Sequence, residues 1–506
     1  MLAREGALGL VDAHELPAAA QLAIRLGRLI ERRGVSGGVG LATAFARLGP
    51  SWIKLGQFLA TRPDVVGIAV TRDLEALQDR LPPFPQAQAV AEIERALGGP
   101  VAQFFTSLSQ PVAAASVAQV HRATLVEEGV ERIAAVKILR PGVIRRFRRD
   151  LSTFYFAARW MERLDPRARR LKPTEVVDTL ARTTAFEMDF RLEAAALSEM
   201  AGNIAGDPGF RVPAPDWNRT ARGVLTMEWI EGIPLSDVPR LAATGHDLKA
   251  LGATIIQTFL RHAIRDGFFH ADMHQGNLMV DPAGNLVAVD FGIMGRAGMK
   301  ERRFLAEILH GFITRNYRRV AEVHFEAGYV PSTYAIDDFA QAIRAIGEPI
   351  HQKRADEISM AKLLTLLFEV TELFDMKTRP ELILLQKTMV VVEGVARKLD
   401  PKLDMWSTAE PVVRDWIERN LGPLGKLGDL GIGARDAVKA ASLIPSLLNR
   451  AETLSERLME ASERGFALSP ESLEGIGRAE ARRARWGNVA LWLIAAALVT
   501  IAWKMG

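Results

Sequence analysis

The sequence predicts an α+β fold of two lobes, with a helical extension before them and a single transmembrane helix after them. Three observations carry this. Within 111–140, two apolar strand-like runs flank a polar turn, and the second holds one charged residue, Lys137, in Ala135-Val136-Lys137-Ile138-Leu139. Far downstream, Phe269-His270-Ala271-Asp272-Met273-His274-Gln275-Gly276-Asn277 is followed by Val289-Asp290-Phe291-Gly292, so that an Asp and an Asn lie five residues apart and a second Asp follows thirteen residues later. Finally, residues 486–503 run for 18 positions without a charge.

The second pattern has the spacing of the phosphoryl-transfer centre in kinase-like folds. There one Asp lies near the attacking group, and an Asn and a second Asp hold the metal on the nucleotide phosphates. A short HxD or DFG alone carries little weight. The ordered set, with a lysine strand upstream, makes the expected architecture a two-lobed protein-kinase-like fold.

At 506 residues the chain has room for several domains and a sizeable core, and 48% hydrophobic content marks it as globular. The net charge of +4 and the pI near 9.3 come from scattered Arg and Lys with no long basic block, so a nucleic-acid partner is not indicated. Cysteine is absent, which removes disulfides, thiol catalysis and Cys-ligated zinc and fits a reducing compartment. Residues 1–30 carry no signal-peptide apolar region. As a helix, the 486–503 run would span roughly 27 Å, enough for a bilayer core. Trp486 and Trp503 suit the interfacial belt, and Arg482, Arg483 and Arg485 outnumber the single following Lys504, which places the main body in the cytoplasm. A buried C-terminal helix is the competing reading.

In chain order, residues 1–110 are the helical extension, with three-to-four apolar spacing over 18–100 and a break at Leu81-Pro82-Pro83-Phe84-Pro85. Residues 111–232 are the N-lobe: a small-residue loop, a strand, a turn at Glu127-Glu128-Gly129, a second strand over 133–139, a helical insertion over 142–205, and a third strand over 223–230. Residues 233–420 are a mostly helical C-lobe interrupted by the catalytic loop and an apolar strand over 286–289. Residues 421–485 read as a Gly-rich linker and amphipathic helices, and 486–504 as the transmembrane helix.

Each candidate residue has an ordinary alternative. Lys137 in an apolar strand is costly unless paired; it would contact nucleotide phosphates, or else point to water from an edge strand. The loop Ala113-Ala114-Ala115-Ser116-Val117-Ala118-Gln119 stands where kinases place a Gly-rich phosphate loop. Ala permits close approach but penalises positive φ, so this loop should be stiffer. Phe186 to Glu193 reads as one helix on which Asp189 and Glu193 share a face and Glu187 could pair with Arg191 on the surface. Glu228 and Ile230 fall where a kinase hinge would meet the adenine edge, or at a plain strand end. His270, Asp272 and His274 could instead ligate a transition metal, whereas Asn277 and Asp290 suit Mg²⁺ on a nucleotide. Lys54, Gly56 and Gln57 are unremarkable by composition alone.

Together these residues resemble the UbiB family of atypical kinase-like ATPases, relatives of the mitochondrial ADCK proteins of coenzyme Q biosynthesis. The resemblance spans roughly residues 40–400 and rests on KxGQ at Lys54 to Gln57, the Ala-rich loop ending in Gln119-Val120-His121, and Ala135-Val136-Lys137 followed by Arg140-Pro141-Gly142. It includes ExD at Glu187 to Asp189, the catalytic loop and DFG. It implies that Lys137 is the nucleotide lysine with Glu193 as its helix partner, and that Lys54 pairs with Glu187 so that the KxGQ helices pack over the site. Asp272 is implied as the catalytic-loop Asp, with Asn277 and Asp290 as the Mg²⁺ ligands. The family usually has Pro where this chain has Gln275.

The same resemblance implies ATP or ADP and Mg²⁺ as cofactors, and ATP hydrolysis supporting ubiquinone biosynthesis. Membrane lipid and isoprenoid phenols resembling ubiquinone precursors, or other proteins of that biosynthesis, are the partners it suggests. In a bacterium, the anchor would sit in the inner membrane. Two features argue independently against a protein substrate: Ala271 replaces the Arg that reads an activation-loop phosphate, and helix-like sequence resumes about ten residues after Gly292. Competing readings are a lipid or isoprenoid kinase, a nucleotide-gated scaffold, and a metal-dependent hydrolase. A homodimer is allowed but not required.

Overall fold

The computed structural model describes residues 38–60, 81–164, 172–350 and 380–421, with shorter runs at 66, 68–75, 77, 169, 369–370 and 373–376. The chain divides into two compact units, 1–418 and 419–506, and of the second only 419–421 are described. The expected linker, amphipathic helices and transmembrane helix therefore lie outside the described residues. Among the described residues no helix is long and apolar enough to cross a membrane.

The first described elements are helices α1 (Gly38–Leu48), α2 (Pro50–Leu59) and α3 (Ile68–Glu75), which share a small core of Phe45, Leu74 and Leu77. Gly56 in α2 is required by this packing: a Cβ there would lie 2.3 Å from Leu77 Cδ1 and 2.7 Å from the Phe45 ring. After the Pro-rich break come α4 (Gln86–Leu97) and the one-turn α5 (Val101–Phe104).

The N-lobe sheet is antiparallel in the order β1 (Ser107–Ala114), β2 (Ala118–Glu127), β3 (Val130–Leu139), β5 (Val224–Glu228). The hairpin between β2 and β3 closes over Glu128 and Gly129, both at positive φ (52° and 81°), the twist-matched two-residue turn. Two expectations need correction. The small-residue segment is not all loop, because Ala113 and Ala114 finish β1 and only Ala115, Ser116 and Val117 make the turn. The second strand of the hairpin starts at Val130, three residues before the apolar run. Helix α4 covers one sheet face, burying Ala89 and Ile93 against Ala123, Leu125, Ala134, Val136, Ile138 and Val224.

Among the described residues, three helices form the insertion after β3: α6 (Val143–Leu164), α7 (Pro173–Glu187) and α8 (Phe190–Asn203). The expected single helix through Phe186 and Glu193 is broken. Helix α7 ends at Glu187, and Asp189 N-caps α8 by accepting from Arg191 N at 3.3 Å. An Asp at that position satisfies an orphan N–H and ends the preceding helix in the same stroke. Arg191 is held by Asp189 at 2.6 Å, so Glu187 and Arg191 do not form the surface pair.

The C-lobe carries the short strands β4 (Phe210–Arg211), β6 (Ile233–Pro234), β7 (Phe268–His270), β8 (Leu278–Val280), β9 (Leu286–Ala288) and β10 (Met294–Arg296). Strands β4, β9, β8 and β6 make one sheet, and β7 with β10 a two-stranded ribbon. Among the described residues its named helices are α9 (Val238–Ala243), α10 (Leu248–Leu260), α11 (Met299–Ile313), α12 (Tyr317–Glu326), α13 (Ile336–Ile350), α14 (Pro380–Leu399) and α15 (Met405–Leu421). A π-helical turn, Arg261–Asp266, links α10 to β7.

Candidate functional site

Strand β3 delivers Lys137 to the cleft between the lobes. Its neighbours Val136 and Ile138 are fully buried, and the alternation of the strand turns Lys137 to the opposite face. Lys137 Nζ donates to both carboxylate oxygens of Glu193, at 2.7 and 3.0 Å, and lies 3.2 Å from Asp290 Oδ2. Glu193 sits in the first turn of α8, where the helix terminus favours a carboxylate. Its Oε1 also accepts from Phe291 N at 3.2 Å, so one carboxylate ties β3 to the DFG segment. Burial alone would pull the Lys137 ammonium down, but the Asp290 and Glu193 carboxylates outweigh it and hold the lysine well above its ordinary value. Asp290 is held well below the usual carboxylate range: its crowded surroundings oppose ionisation, but the Lys137 charge and a hydrogen bond from Gly292 N at 3.0 Å prevail.

The catalytic loop is fixed by backbone and His270. Buried His270 bridges two segments, with Nε2 on the carbonyl of Asp290 and Nδ1 accepting from Asp272 N at 3.0 Å. These two bonds define the neutral tautomer with the proton on Nε2. Burial, the largest influence, keeps the ring's pKa lowered. Both nitrogens are therefore occupied, which overturns the metal-dependent hydrolase: His270 has no lone pair left for a metal. Among the described residues no group of three His, Asp or Glu could hold one.

Asn277 Nδ2 donates to Asp272 O at 3.1 Å and lies 3.5 Å from Asp272 Oδ2, while Val289 N donates to Asn277 O at 3.0 Å. Asp272, Asn277 and Asp290 are thus joined by short links, though thirteen to eighteen residues separate the last from the other two. Gln275 accepts from Lys398 of α14 at 3.0 Å, so the carboxamide anchors the loop where the family pattern has Pro. Thr388 of α14 donates to Ala271 O at 3.0 Å. Only two residues after Gly292, β10 pairs back onto β7, with Met294 opposite His270. That leaves no long activation segment.

The remaining candidates divide. Lys54 of α2 reaches Glu187 at the end of α7, at 2.8 Å, with both side chains largely buried. The Ala-rich turn is braced by Arg140, whose N donates to Val117 O (2.8 Å) and whose Nε donates to Ala115 O (2.9 Å). Gln119 departs from the expected phosphate contact. Its buried carboxamide accepts from Phe84 N at 3.0 Å and meets His121 Nε2 at 2.8 Å, clasping the Pro-rich segment to the sheet. Glu228 is drawn to Arg211 at 2.6 Å, leaving any hinge role to backbone, and Ile230 is buried. His270 and Arg140 were named within motifs, but their positioning roles were missed, because no local signal in sequence says what either side chain reaches.

Comparison with known proteins matches residues 76–324 to the ABC1 atypical kinase-like domain and 343–404 to the UbiB helical domain. A curated relative from Marinobacter nauticus, named probable protein kinase UbiB, is 40% identical over 473 residues, covering 92% of this chain and 85% of the relative. One of the same name from Xanthomonas euvesicatoria pv. vesicatoria is 40% identical over 423 residues, covering 82% and 76%. Among solved structures, the Rv3197–erythromycin complex from Mycobacterium tuberculosis is similar with a TM-score of 0.50 and 25% identity, covering 81% of this chain and 96% of that one.

Proposed function

The chain belongs to the UbiB family of atypical kinases, and from that premise we propose that it is a membrane-anchored, Mg²⁺-dependent ATPase supporting ubiquinone biosynthesis. The observation that carries the chemical part is the convergence of Lys137, Glu193 and Asp290 next to Asp272 and Asn277. The donor set fits a hard cation on a nucleotide: Asp290 offers carboxylate oxygens from a side chain 44% open to the cleft, and Asn277, with Nδ2 engaged, offers its amide oxygen. Magnesium-bound ATP would supply the transferable phosphoryl group and the means to neutralise its charge.

The chain's own residues do the rest by position. Lys137, kept charged by its carboxylate neighbours, directs a cation to the phosphates. Asp272 stands beside Asn277 where the attacking hydroxyl or water belongs, and His270 holds its backbone in register with Asp290. The Ala-rich turn would cover the phosphates with less freedom than glycine allows. Preorganised charge of this kind, and not covalent chemistry, is what phosphoryl transfer demands of a protein. The absent activation segment favours water or a small acceptor over a protein. The anchor assigned to residues 486–504, and the coupling to lipid or to an isoprenoid phenol, rest on the sequence.

The test is phosphate release from ATP by the full chain, with and without Mg²⁺, anionic vesicles and a phenol resembling a quinone precursor, beside Asp290→Asn. Mg²⁺-dependent release that vesicles or phenol raise and Asp290→Asn abolishes supports the proposal. Equal Mg-nucleotide binding by Asp290→Asn would refute the metal assignment. A labelled lipid product without free phosphate would replace the ATPase with a lipid kinase.

A further inference from the structure

On the N-lobe, at the junction of β3 with α6, lies a cavity of about 790 Å³ that none of Lys137, Glu193, Asp272, Asn277 and Asp290 lines. Five arginines line it: Arg95 from α4, Arg140 from the end of β3, Arg145 and Arg148 from the first turns of α6, and Arg222 from the turn before β5. Glu92 is the one carboxylate among the lining residues, and it is paired with Arg95. Arg222 leans to Asp189 only at 3.9 Å. Arg145 and Arg148 are exposed and have no carboxylate partner among the described residues.

Arg145 and Arg148 thus leave two uncompensated guanidinium charges facing one space, and an anion there would relieve their mutual repulsion. The backbone adds to the field. Gly142, at φ 68°, turns the chain so that α6 begins at the cavity wall, and the 22-residue helix has no acidic residue in its first turn. The positive end of the helix therefore meets the same space as the guanidinium groups, and arginine forks match phosphate oxygens two at a time.

We propose that this cavity is a binding site for a phosphate- or pyrophosphate-bearing anion, distinct from the nucleotide cleft. Such a ligand would arrive either free in solution or as the headgroup of an anionic lipid. The same helix displays Phe156, Trp160 and Met161 to solvent, at 64, 45 and 51% exposure, which suits the second source. Arg140 belongs to both the cavity and the Ala-rich turn, so the site abuts the nucleotide machinery without depending on its assigned role.

The experiment titrates inorganic pyrophosphate into the full chain by calorimetry, without Mg²⁺ or nucleotide. The proteins compared are wild type, Arg145→Ala/Arg148→Ala and Lys137→Met. Saturable binding that weakens at least tenfold in the arginine pair and stays within twofold in Lys137→Met supports the site. Thermal unfolding checks that the pair variant is folded, and Arg148→Gln alone gives a milder change with an intermediate loss. Flotation with phosphatidylglycerol and phosphatidylcholine vesicles separates the sources. Phosphatidylglycerol binding that the arginine pair loses, and that pyrophosphate displaces, identifies the headgroup. Pyrophosphate binding with vesicle binding indifferent to the pair identifies the free anion. Pyrophosphate binding that is unchanged in the pair variant, or lost in Lys137→Met alone, overturns the proposal. So does the absence of binding to either probe.

Discussion

At the scale of residues, the cleft is organised by two carboxylates competing for one ammonium. Lys137 is bound at 2.7 Å by Glu193 and lies 3.2 Å from Asp290, so its charge is fully compensated inside the protein. Removing one partner of a buried pair leaves an uncompensated group, and Glu193→Ala should cost about 3 kcal/mol, the low end for such a loss, because Asp290 remains. It also releases Phe291 N from its acceptor. Urea unfolding measures the cost; a loss below 1 kcal/mol would mean the pair does not hold α8 to β3. His270 acts differently, since it touches backbone alone at both ends. His270→Phe keeps the buried ring but cuts the link between Asp272 and Asp290. A misplacement of about 1 Å at a reacting group costs roughly a hundredfold, so kcat should fall on that order while the protein stays folded. An unchanged kcat would remove His270 from the positioning apparatus.

At the scale of elements, the extension is keyed to the lobe by fit and by charge. Gly56 lets α2 lie against Leu77 and Phe45, and Gly56→Ala should overpack that contact at about 1–3 kcal/mol. A melting temperature that does not fall would show that the extension adjusts freely. Lys54 and Glu187 join α2 to the last residue of α7, and Asp189 then starts the helix that carries Glu193. The ordered motif positions and the β2–β3 hairpin were legible in sequence, because alternation and the Glu128-Gly129 turn are local signals. The irregular β1 was not, since Pro111 and two register shifts disguise its pattern among small residues. Of the three-residue strands of the C-lobe, β9 was legible from its apolar run, whereas β7, β8 and β10 were not, because their pairing is set by partners elsewhere along the chain. The break between α7 and α8 was missed for the same kind of reason. Asp189 was read as one helical position among others, when its side chain was serving as a cap. The Lys54–Glu187 and Lys137–Glu193 pairs came from resemblance, because no periodicity connects residues 133 and 56 positions apart.

At the scale of the whole molecule, acid should weaken the fold through histidines that the native chain keeps neutral. Burial lowers the pKa of His121, His262, His270 and His324, against the hydrogen bonds or charges that favour the proton. His262, in the π-helical turn, is the extreme case: desolvation pushes it down to about 3, and neither ring nitrogen has a hydrogen-bond partner among the described residues. Its ring packs edge-on to Phe210 at 5.1 Å. In the unfolded chain it takes a proton near the ordinary value of 6.5, so below that pH the unfolded state binds more protons than the folded one. The stability it permits is present in full above about 6.5 and is lost progressively as pH falls toward about 3, its folded value. One such group contributes a slope of about 1.4 kcal/mol per pH unit once the unfolded state is fully protonated. Urea unfolding of the wild-type chain should therefore show a midpoint that drops between pH 7.5 and 5. His262→Leu replaces two unpaired nitrogens with apolar volume, so it should keep stability at pH 7.5 and flatten the acid slope by one group's share. An identical slope in the variant would assign the acid sensitivity to the other histidines, and a large loss at pH 7.5 would mean that the ring's shape, and not its neutrality, is what the turn requires.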